Sequence, residues 1–255
     1  MGLFDWIKKI KTPKPDGATL FAPSGGTNEE PAPDAARRSR SIAILREKGI
    51  PYLPQLYVII PEAEANLRTP DEIARRLLAM FGVCVYSEVR GGGAGRDDAQ
   101  KYLDKINDIL GGGLDEALTP DEKLYLDENI PEQQAIGKFG WRYECCHVLM
   151  WALGFFDELG YPSSICDVSR IAKVIWHVEN LASFLESAKP RSQDEILDAA
   201  DLILRYDWAC VDARINGREN PAGLDGEVVV EWHYAFEWLV GSCDNADWDD
   251  IETNT

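Results

Sequence analysis

The strongest constraint on this chain is a repeated way of starting helices. Thr69-Pro70-Asp71-Glu72 and Thr119-Pro120-Asp121-Glu122 are the same tetrapeptide, and Ser192-x-x-Glu195 follows the same rule. A hydroxyl at the cap accepts from the third helical N–H, and the Glu side chain reaches back to the cap. Proline at the first helical position loses no hydrogen bond there. Apolar residues recur at helical spacing after each box, so helices are expected over 70 to about 89, from 120, and over 192–217. Further helices are read over 37–48, ended by Gly49-Ile50-Pro51, and over 141–159, 167–188 and 225–240. Gln55–Ile60 is a short apolar stretch between prolines and reads as one extended strand. The expected architecture is mostly α: a single-domain multi-helix bundle over 37–255, with that strand near 55–60.

Residues 1–36 differ in kind. Leu3, Phe4, Trp6 and Ile7, with Lys8, Lys9 and Lys11, make a basic-amphipathic peptide, and residues 12–36 are a tether rich in Pro, Gly and Ala. Such a peptide can lie on a membrane surface through its apolar residues, but ten residues hold little helix alone. Gly2 does not complete a myristoylation motif, because Trp6 stands where Ser or Thr is needed. No secretory core precedes a cleavage site, and the most apolar run, 145–156, is too short to span a bilayer. A cytoplasmic protein with reduced thiols is therefore expected from its six cysteines.

With 26 Lys+Arg against 44 Asp+Glu, the net charge is −18. Phosphate backbones need clustered bases, so no nucleic-acid partner is expected. A basic protein is the partner that such a surface suits.

Several polar residues fall on helix faces that periodicity assigns to the core. Glu144 lies among Trp141, Val148 and Ala152. Asp207 and Arg214 follow the stripe of Ile196, Ala200, Ile203, Leu204, Val211 and Ile215, a placement that would let them share a network with Glu144. Asp198, Asp201, Arg205 and Asp212 take the other side and read as a solvated face. Glu231 and His233 flank the stripe of 225–240, and His177 points outward. The candidate polar cluster is thus Glu144, His147, Asp207, Arg214 and Glu231. It reads either as a desolvated site or, more simply, as a buried salt-bridge network that fixes helix register.

Known chemistries mostly fail. Gly91–Arg96 (GGGAGR) lacks the ending of a phosphate loop and follows a helix rather than a strand. Glu144-x-x-His147 has no second copy, as a di-iron bundle would need. Three histidines without CxxC or HExxH give no zinc site, so neither metal nor cofactor is expected. Cys145-Cys146-His147 reads as packing rather than as a nucleophile, and no serine elbow is present. Arg142-x4-His147 is similar in spacing to the motif of the HEPN helical ribonucleases, a resemblance of two residues only. Seven of the eight tryptophans fall at or after Trp141, and most read as core. Trp248, between Asp247 and Asp249, reads as a staple that folds the acidic tail back.

Arg37–Met80, Trp141–Gly154, Asp201–Arg214 and the ending WHYAFEWLVGSCDNADWDDIETNT resemble a bacterial family known as domain of unknown function 4272. The resemblance spans nearly everything after residue 36 and is most specific in the closing Asp-Trp-Asp-Asp. It implies one largely helical domain and brings no reaction or catalytic residue. The function is therefore open. The leading expectation is a non-enzymatic acidic binding protein, as immunity proteins are toward basic toxins. The alternatives are an enzyme or small-ligand binder using the polar cluster, and a membrane-surface adaptor working through the N-terminal peptide.

Overall fold

A computed structural model describes residues 32–255. The N-terminal peptide and residues 12–31 of the tether lie outside the described residues. The described residues are mostly α-helical, as expected, and contain no strand. They gather into two compact units: residues 69–159 with 166–190, and residues 32–68 with 160–165 and 191–255.

The first unit is built around α2 (Pro70–Gly91). Its capping box forms as read, with the Glu72 N–H donating to the Thr69 hydroxyl and the Thr69 N–H to the Glu72 carboxylate. From Leu77 to Ser87 every residue of α2 is buried, so this helix is covered on all sides. The covering helices are α3 (Arg96–Ile109), α4 (Leu114–Ala117), α6 (Gln133–Trp141), α7 (Tyr143–Ala152) and α9 (Leu181–Ser187). A glycine inside such a helix costs about 1 kcal/mol in propensity, and Gly82 has a packing reason. A Cβ there would lie 3.2 Å from Ile106 and 3.3 Å from Leu103, so Gly82 sets how closely α3 approaches. The second Thr-Pro-Asp-Glu box also forms and starts α5 (Pro120–Asp127).

Two expected helices are broken. The 141–159 helix is split at Arg142 into α6 and α7 and stops at Leu153. The 167–188 helix is two, α8 (Val168–Ile175) and α9. Asn180 starts the second, its side chain accepting from the Ser183 N–H in a fourth capping box. Asn is as good a cap as Ser or Thr, so this stop-and-start signal was present and unread.

The second unit holds α1 (Ala32–Lys48), α10 (Gln193–Ile215) and α11 (Gly226–Val240). Helix α10 begins at its Ser192 box, and α11 begins where Asp225 accepts from the N–H groups of Glu227 and Val228. Helix α1 starts five residues before Arg37, within the expected tether. The cause is ionic: Asp34 is buried and its carboxylate takes both the Arg37 guanidinium, at 3.2 Å, and the Glu62 N–H, at 3.0 Å. The stretch 55–60 is not a strand. It runs through a turn and a bend with no partner strand, and Leu56, Ile59 and Ile60 bury their side chains in the unit.

Helix α10 packs against both α1 and α11, and this overturns the solvated-face reading. Asp201 is 0% exposed and Arg205 1%. Their carboxylate and guanidinium meet in two hydrogen bonds of 2.7 and 2.9 Å, and the Ser41 hydroxyl of α1 donates to Asp201 at 2.5 Å. Asp198 is half-exposed and takes Arg37 and Arg40. At the other end, Arg214 and Ile215 were expected in the core stripe but are exposed, Ile215 to 65%, because they form the last turn of α10.

Candidate functional site

The most concentrated buried polar chemistry joins α10 to α11. A spacing of four places His233 and Glu237 on one face of α11, and Asp207 of α10 meets them. The His233 ring is 0% exposed, with Nδ1 2.8 Å from the Asp207 carboxylate and Nε2 2.8 Å from that of Glu237. Burial works against charge on the ring, yet the two carboxylate hydrogen bonds and their fields override it and push its pKa up to about 9. Near neutral pH this is an imidazolium donating from both nitrogens, between two carboxylates. The Ser242 hydroxyl donates to the Glu237 carboxylate from the far side.

A strained turn follows. Gly241 is left-handed at φ 70°, and a Cβ on it would lie 2.6 Å from the Asn66 carbonyl oxygen. Cys243, Asp244 and Asn245 then adopt φ of 52°, 56° and 60°. Non-glycine residues pay roughly 1–2 kcal/mol each for that conformation, so neighbours must hold the segment. Arg68 does so: its guanidinium lies 5.0 Å over the Trp238 ring and donates to the Trp238 and Ala246 carbonyls at 3.1 and 2.7 Å. Trp248 is buried edge-on to both Tyr234 and Trp238, each at 5.3 Å, and Tyr234 donates to its carbonyl. The tail is stapled as expected. Around it Asp244, Asp247, Asp250 and Glu252 remain exposed.

Near the network stands Tyr57, half-exposed, its hydroxyl donating to the Asn254 carbonyl at 2.6 Å. Burial first, then the nearby charges of Glu237 and Asp207, push this phenol up to about 12.

The five residues nominated from sequence separate as follows. Glu144 is buried on α7, where its carboxylate accepts the Cys166 N–H at 2.7 Å. His147, half-buried on the same helix, has Nε2 2.9 Å from the Leu159 carbonyl oxygen and its ring 5.3 Å from Phe156. Burial lowers its pKa from the ordinary value, so it is neutral at pH 7. These two belong to the first unit; Asp207, Arg214 and Glu231 belong to the second. Asp207 is buried as expected, with His233 as partner. Arg214 is exposed and Glu231 half-exposed. His233, Glu237 and Ser242 were missed. Their signal was the His-x3-Glu spacing, masked because α11 is apolar around most of its circumference.

The glycine loop offers no anion cradle from its middle, because the N–H groups of Gly92, Gly93 and Ala94 already donate to α2 carbonyls. Among the described residues no group of three or more His, Cys, Asp or Glu is arranged to hold a metal ion. Among them, too, no helix is long and apolar enough to cross a membrane.

The family described as Domain of unknown function (DUF4272) matches residues 37–251, and the chain belongs to it. That span takes in all the helices above except the first residues of α1. No curated protein and no solved structure matches the chain.

Proposed function

We propose that this protein is a non-catalytic binding protein whose rigid acidic C-terminal segment docks a basic protein partner. The observation that carries the reading is the stapled tail. From Asp244 to Thr255 there are five Asp and Glu and no Lys or Arg, and Trp248, Tyr234, Trp238 and Arg68 fix that segment on the second unit. Carboxylates held in place lose less freedom on binding than carboxylates on a loose tail, and a field of one sign speeds encounter with a partner of the other. An immunity-like role toward a basic toxin fits this chemistry. The His233 network favours the same reading over an enzyme, since both ring nitrogens are engaged and the ring is closed to solvent. The six free cysteines suit a reducing cytoplasm.

The test is binding of the full chain to a ten-residue polylysine peptide, and capture of partners from its own cells. Saturable binding that weakens at least tenfold between about 50 and 500 mM salt is expected. The combined variant Asp244→Asn, Asp247→Asn, Asp250→Asn should lose at least tenfold in affinity for peptide and captured partner alike. A partner held equally well by that variant, or no saturable peptide binding, overturns the proposal.

A further inference from the structure

The first unit carries a cleft whose charge character is opposite to that of the acidic tail. It is a shallow, solvent-open depression of about 510 Å³ lined by Val89, Ala94, Asp98, Lys101, Tyr102 and Lys105. The last four recur on α3 at spacings of three and four, so they share one face. Two ammonium groups stand there against one carboxylate, in a chain where acids outnumber bases 44 to 26.

The charges are not equivalent. Asp98 is taken by Lys101 at 2.7 Å, which leaves Lys105 as the uncompensated cation. Its ammonium has no carboxylate partner among the described residues. It lies 4.5 Å over the Trp176 ring, with only a long 3.4 Å contact to the Trp176 carbonyl. Tyr102 is 40% exposed, and its ring is tilted 46° to Trp176 at 6.0 Å between centroids. The cleft therefore pairs a part-exposed aromatic ring and two apolar side chains with an ammonium that rests on Trp176 and carries no carboxylate.

We infer that this cleft binds a planar aromatic monoanion, its ring against Tyr102, Val89 and Ala94 and its acidic group on Lys105. A ring without charge would leave the ammonium unused, and a small inorganic anion would leave the apolar face wet. The inference is independent of the C-terminal docking reading, since it concerns different residues in the other unit.

The probe is 2-naphthoate, titrated calorimetrically into the full chain, with backbone NMR shifts locating the site. One-to-one binding is expected with a dissociation constant on the order of 1 mM, the scale of a ligand of this size, with shifts centred on residues 98–105. Lys105→Ala and Tyr102→Ala should each weaken it at least tenfold while circular dichroism stays unchanged. Lys105→Arg, which keeps the charge, should retain binding. The neutral 2-naphthylmethanol and inorganic phosphate should each bind at least tenfold more weakly. Overturning results are absence of saturation well above that range, equal binding of the neutral analogue or of phosphate, shifts centred elsewhere, or insensitivity to both alanine variants.

Discussion

The two units bury polar atoms in different ways. In the second, the interior is ionic: Arg37 holds Asp34, Glu62 and Asp198, Arg205 holds Asp201, and the His233 imidazolium bridges Asp207 and Glu237. In the first, α2 is wrapped in aromatic rings and thiols, with Arg76–Glu122 at 2.5 Å as a buried pair and Glu144 held by a backbone N–H. Cys84, Cys145 and Cys146 are fully buried there, and burial above all pushes the Cys84 thiol well above its usual range, so it stays neutral. A few helices in the second unit are thus registered by charge geometry, which tolerates no lost partner. The many short helices of the first are registered by shape.

The largest effect should come from breaking one ion pair of the second unit. Arg205→Leu leaves Asp201 buried without its cation and should cost about 3–5 kcal/mol in chemical denaturation. The double variant Arg205→Leu with Asp201→Leu should recover most of that loss. If the double is as damaged as the single, the loss does not come from an orphaned Asp201 carboxylate.

Next in size is a dependence on pH. The folded pKa of His233, about 9, lies above the ordinary 6.5 of the unfolded chain. The folded state therefore holds more protons between those values, and stability falls as pH rises there. The contribution, on the order of 3 kcal/mol, is fully present below 6.5 and lost through about 9. Urea melts at pH 6, 7.5 and 9 should show that slope, and His233→Gln should flatten it. A flat profile in the unaltered chain would remove the imidazolium bridge.

For the first unit the sharper perturbation is steric. Gly82→Ala places a methyl against Ile106 and Leu103 and should cost about 1–3 kcal/mol, with no change in pH dependence. Smallest is the cap: Thr119→Ala removes the hydroxyl that accepts the Glu122 N–H and should cost about 1 kcal/mol, with hydrogen-exchange protection lost first in α5.

Much of this was legible beforehand. The boxes at Thr69, Thr119 and Ser192 marked their helices correctly, Trp248 read correctly as a staple, and His177 lies exposed as expected. The failures share a cause. Asp201 and Arg205 look solvated on a helical projection because a projection shows faces, not neighbours, and α1 covers that face from some 160 residues away in sequence. Arg214 and Ile215 fit the core stripe by phase, yet nothing buries the last turn of α10. His233 sat beside an apolar stripe without any local hint that Asp207 would reach it.

What the chain decided alone was where its boxed helices begin, at Thr69, Thr119 and Ser192, since a cap is a contest among hydrogen bonds within four residues and its outcome travels with the tetrapeptide. The tail's aromatic anchor belongs in the same class, because one tryptophan between acidic residues has few other ways to leave water. Which ionisable groups lost their solvent was settled only by the tertiary structure. Dehydration of a side chain depends on every element packed against it, and those contacts join residues that neither periodicity nor spacing can pair.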